Sequence, residues 1–524
     1  MNVGEFIVEC LVRQGIKHIF GIPGNQLTPI FEAIYKNNDD IKFIDCRNEA
    51  GASLMSDGYA KSSGKVSVCM VSPGPGASNT YIGMLEGYTS CSPVLLITVK
   101  GKSEFDEKGE ERLFHGLDHI EAFKPVTKWQ YRVEKVEEIS YSIKKAFENL
   151  TSGRPGPVVL EFRSDLLVQD IYEELPGRYF FDNKKDNESN IKDVSEIISK
   201  SKNPVIIAGR EVFSSKAENE LLELAKKIYA PILTTTMGKG VVSDYEELAL
   251  GSILNYNYEN KLKDVFEKSD LCIAIGVRFT QVDTESWSMK INVPLVTISV
   301  DSKYLNRDYK SESSLIGDIK LNLKCLLENI RDTKVDFNRK NTIRKFREEM
   351  DNINYPGLIR NFQEVMPLNS ILVNDVHIEG FSYAHYKVRS CSNYIHSGLS
   401  LGIGYALPAA IGAKMAFPEK KVVAFCGDGG FLMNSPELAT IKRYEMDITI
   451  VIVNDGWFGT IKRKQQPYIH NIIGLNLYNP DFMKLAEAYN MQGFRVDNMQ
   501  NFNSTLKKAI DIKGAVIVEV VKNW

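Results

Sequence analysis

Short, unbroken apolar runs recur along this chain, separated by helix-like stretches. They include PVLLITV, PVVLEF, PVIIAG, LCIAIG, KVVAFC, ITIVIV and AVIVEVV. A run without polar alternation reads as a strand buried on both faces. Helices that connect parallel strands supply that double cover. The pattern therefore predicts an α/β fold of doubly wound parallel sheets. In such sheets, ligands collect at the loops that follow the carboxyl ends of the strands.

At 524 residues the chain is too long for one hydrophobic core. At about 150–200 residues per domain, roughly three domains are expected. The rhythm divides accordingly into blocks over residues 1–170, 190–330 and 355–524. The first opens with an amphipathic helix over residues 2–15 and a short strand, His18-Ile19-Phe20. A glycine turn follows, Gly21-Ile22-Pro23-Gly24-Asn25. Next come a helix from Leu27 to Tyr35, the strand KFIDC and a helix from about Glu49. The strand VSVCMV ends in a second glycine turn, Ser72-Pro73-Gly74-Pro75-Gly76. The polar stretch YEELPGRYFFDNKKDNES reads as a linker, and the charged stretch RDTKVDFNRKNTIRKFREEMDN leads into the third block. No short-period repeat is visible.

A net charge of -3 gives no reason to expect nucleic acid or an anionic membrane as partner. The eight cysteines form no CxxC pair and no zinc-spaced cluster, and most sit in apolar runs. They read as buried reduced thiols. No apolar run approaches the ~18 residues of a membrane span. The N-terminus carries acids and reads as a helix, not a signal peptide. A cytoplasmic protein is expected.

The third block holds the most informative segment, KVVAFCGDGGFLMNSPELATIKRYEMDITIVIVNDGWFG. One buried strand breaks into Gly427-Asp428-Gly429-Gly430, with a helix after it. The next ends at Asn454-Asp455-Gly456. Neighbouring parallel strands would bring Asp428 and Asn454 to the same sheet edge. A carboxylate and an amide oxygen are hard ligands suited to Mg²⁺ or Ca²⁺. Mg²⁺ usually completes its shell with phosphate oxygens and water. The glycines allow the backbone to approach a phosphate closely, and a helix N-terminus favours an anion.

The GDG turn, and the Asn that ends the next apolar strand, resemble the signature of thiamine-diphosphate-dependent enzymes. FGIPGNQ, RNEAGASLMSDGYAK, SPGPGASN, GRPGPVVLEF, SGLSLGIGYALPAAIGAKMA and NPDFMKLAEAY extend the likeness over the whole chain. They point to the branch with acetolactate synthase, benzoylformate decarboxylase, oxalyl-CoA decarboxylase and pyruvate decarboxylase. The nearest likeness is to the acetolactate synthase large subunit. The resemblance implies pyrimidine-binding, central and diphosphate-binding domains, in that order. It also implies a homodimer or homotetramer with sites between subunits. The cofactors would be thiamine diphosphate and Mg²⁺, with Asp428, Asn454 and the Gly456 carbonyl as metal ligands.

The same resemblance assigns further roles. Glu49 in CRNEAGA matches the glutamate that pairs with the pyrimidine nitrogen and promotes loss of the thiazolium C2 proton; helix capping is its plain alternative. Ile403 matches the apolar wedge that bends the cofactor, and the Leu401 carbonyl would accept from the pyrimidine amino group. A core isoleucine in a glycine-rich turn is its plain alternative. The glycine turns carry the other expected contacts: Pro23, Gly24, Gly74, Gly76 and Asn79, then Gly427, Gly429, Gly430, Trp457, Phe458 and Gly459.

Asn25 stands where relatives place a polar catalytic residue. An amide is no general acid, so it would orient substrate or water, or simply serve the turn. His115 aligns with a glutamine facing the reacting carbon and could shuttle a proton; a structural histidine is the alternative. His119, His377, His385 and His396 have weaker claims. Thr460 stands where pyruvate decarboxylase has a glutamate that helps release an aldehyde. Its hydroxyl favours carboligation instead.

The expected activity is therefore decarboxylation of a 2-oxo acid, with pyruvate the expected donor, and transfer of the acyl-anion equivalent to an acceptor carbonyl. An aldehyde-releasing 2-oxo acid decarboxylase is the alternative. A third reading, a non-catalytic paralogue, would have lost Glu49 or the metal ligands, which are all present. GVRFTQVDTESW resembles the GxRF turn of the FAD-binding central domain of acetolactate synthase, but the residues beyond that turn depart from the family pattern and leave FAD uncertain. Basic residues after Ile461 would face an acidic substrate or form a solvated surface.

Overall fold

The computed structural model describes residues 1–181, 184–256, 266–331, 337–351, 358–376, 384–468 and 471–522. Three six-stranded sheets form, one in each block. The first contains β1 (His18–Gly21), β2 (Lys42–Asp45), β3 (Ser67–Met70), β4 (Val94–Lys100), β5 (Trp129–Val133) and β6 (Val158–Arg163), in the order β2-β1-β3-β4-β6-β5. All its pairs are parallel. The second contains β7 (Pro204–Ala208), β8 (Ile232–Thr234), β9 (Ala249–Ser252), β10 (Leu271–Ile275), β11 (Leu295–Ser299) and β12 (Ser313–Ile316), ordered β12-β11-β10-β7-β8-β9. The third contains β13 (Ile371–Asn374), β14 (Tyr394–His396), β15 (Val422–Gly427), β16 (Ile448–Asn454), β17 (Gln492–Val496) and β18 (Val516–Val521), ordered β14-β13-β15-β16-β18-β17. The unbroken apolar runs become central strands, as double burial requires; every residue of β4 and β10 is buried.

Two compact units result. One holds Met1–Phe181, Val365–Gly380 and Ile395–Trp524; the other holds Asp182–Glu364 and Phe381–Tyr394. The first and third sheets thus belong to one unit. A shared core joins them, with Phe20, Met55 and Val159 beside Ile371, Ala410 and Ile450. At its centre the helix Glu49–Ser63 crosses the helix Ala406–Ala416. Glycine makes that crossing possible. A Cβ on Gly412 would lie 1.9 Å from the Met55 carbonyl oxygen, and one on Gly58 would lie 2.4 Å from that of Ala409. No side chain fits at such backbone separations.

The second unit has its own core around β7, β10 and β11. The charged stretch expected only to lead into the third block contains a helix, Phe337–Asp351. Arg347 explains its docking, because its guanidinium donates to the backbone carbonyls of Asp244, Glu246 and Ala249. The N-terminal helix expected over residues 2–15 runs Val3–Arg13. A capping box shortens it: Glu5 N–H donates to Asn2 Oδ1 at 2.8 Å and Asn2 N–H to the Glu5 carboxylate at 3.1 Å. All eight cysteines are free, and only Cys325 is less than fully buried. Among the described residues no helix is long and apolar enough to cross a membrane.

Candidate functional site

β15 and β16 are parallel neighbours, with Gly427 beside Val453. The strand ends therefore place Asp428 and Asn454 at one sheet edge. Past Gly427 a short helix runs Asp428–Asn434, and Ser435-Pro436 opens the 3-10 turn after it. The Asp428 carboxylate accepts from Gly429 N–H and Gly456 N–H, both at 2.9 Å. Burial pushes its carboxyl above the ordinary range, the nearby Asp455 charge adds to the effect, and hydrogen bonds oppose it. A cation beside it would remove that penalty.

Asn454 is oriented by a residue that no sequence motif singles out. Its amide nitrogen donates to Glu519 Oε1 at 2.7 Å, so its oxygen turns toward Asp428. Glu519 is buried in β18 and receives Arg495 Nε from β17 at 2.7 Å. Arg495 also reaches Asp481. A lone acid inside AVIVEVV was the available signal. A second addition is Asn479 of the NPDF stretch, whose amide nitrogen lies 2.7 Å from Asp428 Oδ2 and 2.9 Å from Asn454 Oδ1. The Gly456 carbonyl completes the oxygen set and accepts from Leu477 N–H at 2.8 Å.

This set fits a hard divalent cation. Among the described residues no group of three or more His, Cys, Asp or Glu could hold a metal. One carboxylate, one amide oxygen and one carbonyl leave most of the shell to other oxygens, which suits Mg²⁺ shared with a phosphate. A pocket of about 200 Å³ opens beside it, lined by Leu401, Ile403, Gly427, Asp428, Gly429, Gly430, Trp457, Phe458, Gly459, Thr460 and neighbours. Gly429 is needed here, since a Cβ would meet the Phe458 ring at 2.7 Å. Thr460 Oγ1 is buried without a partner, a polar atom left for a ligand. Leu401 has φ +45. The turn it opens is pinned by buried Asp375, which accepts from Gly404 N–H at 3.1 Å and Ala406 N–H at 3.3 Å.

The first block forms a second cluster at the ends of β1, β2 and β3. Its two glycine turns touch: a Cβ on Gly24 would meet Ser72 Oγ at 1.9 Å. Pro23 and Asn25 are exposed there, and Asn25 opens a 3-10 turn whose carbonyl accepts from Thr28 Oγ1. Glu49 does not cap its helix. Asn48 does, accepting from Ala50 N–H at 2.8 Å. Glu49 Oε2 instead accepts from Asn79 Nδ2 at 3.0 Å, and Oε1 faces the empty side of Gly76. Another missed residue, Glu437, accepts from Arg47 N–H and Asn48 N–H and so fixes where this helix begins. His115 has φ +58, packs its backbone against Gly74 and stacks on exposed Phe114; its Nδ1 has no partner.

Of the weaker histidines, His119 is structural: buried, it accepts from Gly74 N–H at 2.9 Å through Nε2 and meets Glu161 through Nδ1. Burial pushes His385 down to about 4. The His396 carbonyl accepts from Lys61, and His377 lies outside the described residues. Glu49, Asn25 and His115 do not line the pocket at Asp428. The chain thus carries two partial constellations.

Comparison with known proteins gives three family matches along the chain. Residues 1–122 match the description "Thiamine pyrophosphate enzyme, N-terminal TPP binding domain", 191–326 the central domain and 378–520 the C-terminal TPP binding domain of the same enzymes. A probable acetolactate synthase large subunit of Methanocaldococcus jannaschii is 32% identical over 99% of this chain and 92% of its own length. The acetolactate synthase large subunit of Buchnera aphidicola is 29% identical over 97% of this chain and 92% of its own length. That of Lactococcus lactis is 29% identical over 96% and 89%.

Proposed function

This chain belongs to the thiamine pyrophosphate enzyme family, and on that premise we propose that it is an acetolactate synthase-like carboligase. It would decarboxylate a 2-oxo acid of the pyruvate class and pass the acyl-anion equivalent to an acceptor carbonyl. When bound, thiamine diphosphate supplies the nucleophilic carbon and the electron sink. Asp428, Asn454 and the Gly456 carbonyl would hold Mg²⁺ and, through it, the diphosphate. Leu401 and Ile403 would shape the bend between the two rings. Glu49, held by Asn79, would pair with the pyrimidine nitrogen. Asn25 and His115 would orient substrate over the reacting carbon.

The observation that carries carboligation is the pocket wall. Leu401, Ile403, Trp457, Phe458 and Ile461 are apolar, and Thr460, at the position that by resemblance holds a glutamate in pyruvate decarboxylase, offers only a hydroxyl. A hydroxyl with a high pKa does not deliver a proton as a carboxyl does. Thr460 would therefore not supply the proton that aldehyde release needs, which favours transfer to an acceptor.

The domains are read as pyrimidine-binding (1–170), central (190–330) and diphosphate-binding (355–524). The two partial constellations support a homodimer or homotetramer in which Glu49 of one copy serves Asp428 of another. Free, buried cysteines suit the cytoplasm. FAD is not part of this reading. In the central sheet the order places the switch point between β10 and β7, where a dinucleotide would sit. The Glu211 carboxylate spans it, accepting from Ser299 Oγ at 2.9 Å and Val300 N–H at 3.1 Å. That side chain is already committed to the end of β11.

The test is incubation with pyruvate, Mg²⁺ and thiamine diphosphate, with 2-oxo acids supplied as acceptors and products read by mass spectrometry. Acetolactate or its homologues are expected. Acetaldehyde alone, with acceptors present, would overturn the proposal.

A further inference from the structure

All three oxygens read as metal ligands are covered by donors from one short segment. Asn479 Nδ2 donates to Asp428 Oδ2 at 2.7 Å and to Asn454 Oδ1 at 2.9 Å. Two residues earlier, Leu477 N–H donates to the Gly456 carbonyl at 2.8 Å. The segment is anchored, because Phe458 N–H donates to the Leu475 carbonyl and Trp457 bridges Asn476. The other end of the same amide is left over: Asn479 Oδ1 is buried with no hydrogen-bond partner.

An amide carries two donors on one side and an acceptor of nearly the same size on the other. With its nitrogen inward, Asn479 does for Asp428 and Asn454 what a cation would do: it brings positive charge between two oxygens. With its oxygen inward, three acceptors would face one another, which is repulsive unless a cation lies among them. The two orientations therefore suit opposite states of the site. The orphaned oxygen marks the inward-nitrogen orientation as incomplete. Burying an acceptor without a partner is unfavourable, and half a turn about Cβ–Cγ would present that oxygen to a metal or to its water.

We propose that Asn479 is a metal-site residue, a placeholder for the cation when the site is free and an oxygen donor to its shell when the site is filled. The inference rests on the reading of Asp428 and Asn454 as metal ligands. A residue that only tethered the loop would need its nitrogen and never its oxygen. The variants Asn479→Asp and Asn479→Ala separate the two roles, since the first keeps an oxygen and loses the amide nitrogen, whereas the second loses both.

Mn²⁺ binding to the full-length protein with thiamine diphosphate present, followed by electron paramagnetic resonance of the free ion, gives a readout apart from turnover. Thermal melts without metal report the placeholder role. Asn479→Ala should weaken Mn²⁺ binding about 10–100-fold, the range seen when a residue supporting metal ligands is removed. Asn479→Asp should melt lower than wild type without metal, because two carboxylates then face each other, yet bind Mn²⁺ at least as tightly as wild type. Wild-type Mn²⁺ affinity in Asn479→Ala would overturn the proposal. So would an Asn479→Asp protein that binds as weakly as Asn479→Ala. Asp428→Ala is the control for the underlying reading: if it too binds Mn²⁺ like wild type, the metal is held elsewhere and the site assignment itself fails.

Discussion

Asp375 shows how much of this site depends on one side chain that does not line the pocket. It follows β13, is buried, and collects backbone N–H groups of Val376, Gly404 and Ala406. Asn434 holds the other side of the same turn, donating to the Gly404 carbonyl at 2.7 Å. Between them they fix Leu401 to Tyr405, and with it Ile403. Burial pushes the Asp375 carboxyl up to about 6, although the backbone donors favour its charge. Its folded pKa thus exceeds the unfolded value of about 3.9. The group opposes folding fully above about pH 6, and the opposition fades as pH falls through 6 toward 4. Asp375→Asn should loosen the turn and weaken thiamine diphosphate binding about tenfold, as loss of a charged hydrogen bond implies. Calorimetric titration of the cofactor checks this. Denaturant unfolding at pH 7 and pH 5 checks the sign: the stability of wild type relative to Asp375→Asn should rise on acidification, and a constant difference would refute the assignment. In the sequence, Asp375 was only the end of ILVND. Asp428 and Asn454 were legible because a motif and a strand pattern coincide on them. Asp375, Glu437 and Glu519 act on partners far away in the chain, and no local pattern announces that.

Among elements, the helix Tyr81–Ser90 has a role its sequence hides. Its one acid, Glu86, is buried and receives Lys61 Nζ at 2.6 Å and Ser90 Oγ at 2.8 Å. It also accepts from Ser397 Oγ, Gly398 N–H and Ser400 Oγ. Lys61 in turn meets Asp57 at 3.0 Å and the His396 carbonyl at 3.0 Å, and Tyr405 OH donates to Asp57 at 2.8 Å. A helix of the first block thus holds the strand of chain that runs into Leu401 and Ile403. Burial alone would raise the Glu86 pKa, but the Lys61 charge and the hydrogen bonds win and pull it down to about 2. Folding lowers this pKa, so its contribution is present above the ordinary 4.5 and is lost as pH falls toward 2. Glu86→Gln leaves Lys61 short of a partner in a buried site, which costs about 3 kcal/mol. The melting temperature at pH 7 should fall by several degrees, and the gap to wild type should narrow below pH 4. The periodicity that predicts such a helix also predicts its apolar face. It cannot assign an acid on that face to a loop three hundred residues away.

At the scale of the whole molecule, three sheets were legible because unbroken apolar runs admit little besides doubly covered parallel strands. The merging of the first and third sheets was not, because Gly58 and Gly412 signal a close approach without naming its partner. The second unit makes its own prediction. If Glu211 fills the switch point, purified protein should show no visible flavin absorbance, and added FAD should not raise its melting temperature. A retained yellow chromophore would reverse that reading.

The first unit makes another. Glu49, held by Asn79 beside Gly76, does not line the pocket at Asp428, so the two stand as separate halves. Exposed apolar side chains accompany both halves: Phe114 stacks on His115 in one, and Leu401, Met433 and Ile461 stand at the pocket and its turn in the other. Soluble surfaces that gather such groups mark interfaces. If a two-fold symmetric pair joins the first half of one copy to the second half of its partner, each pair has two equivalent sites. Glu49→Gln and Asp428→Ala would each be inactive alone. Co-expressed with distinct tags and purified by both, they form mixed pairs in which one site carries both defects and the other carries none. Such pairs should recover about half of wild-type turnover per pair, one intact site of two. Were each site built within a single chain, every site in the mixture would keep one defect, and the doubly tagged protein would be as inactive as its parents.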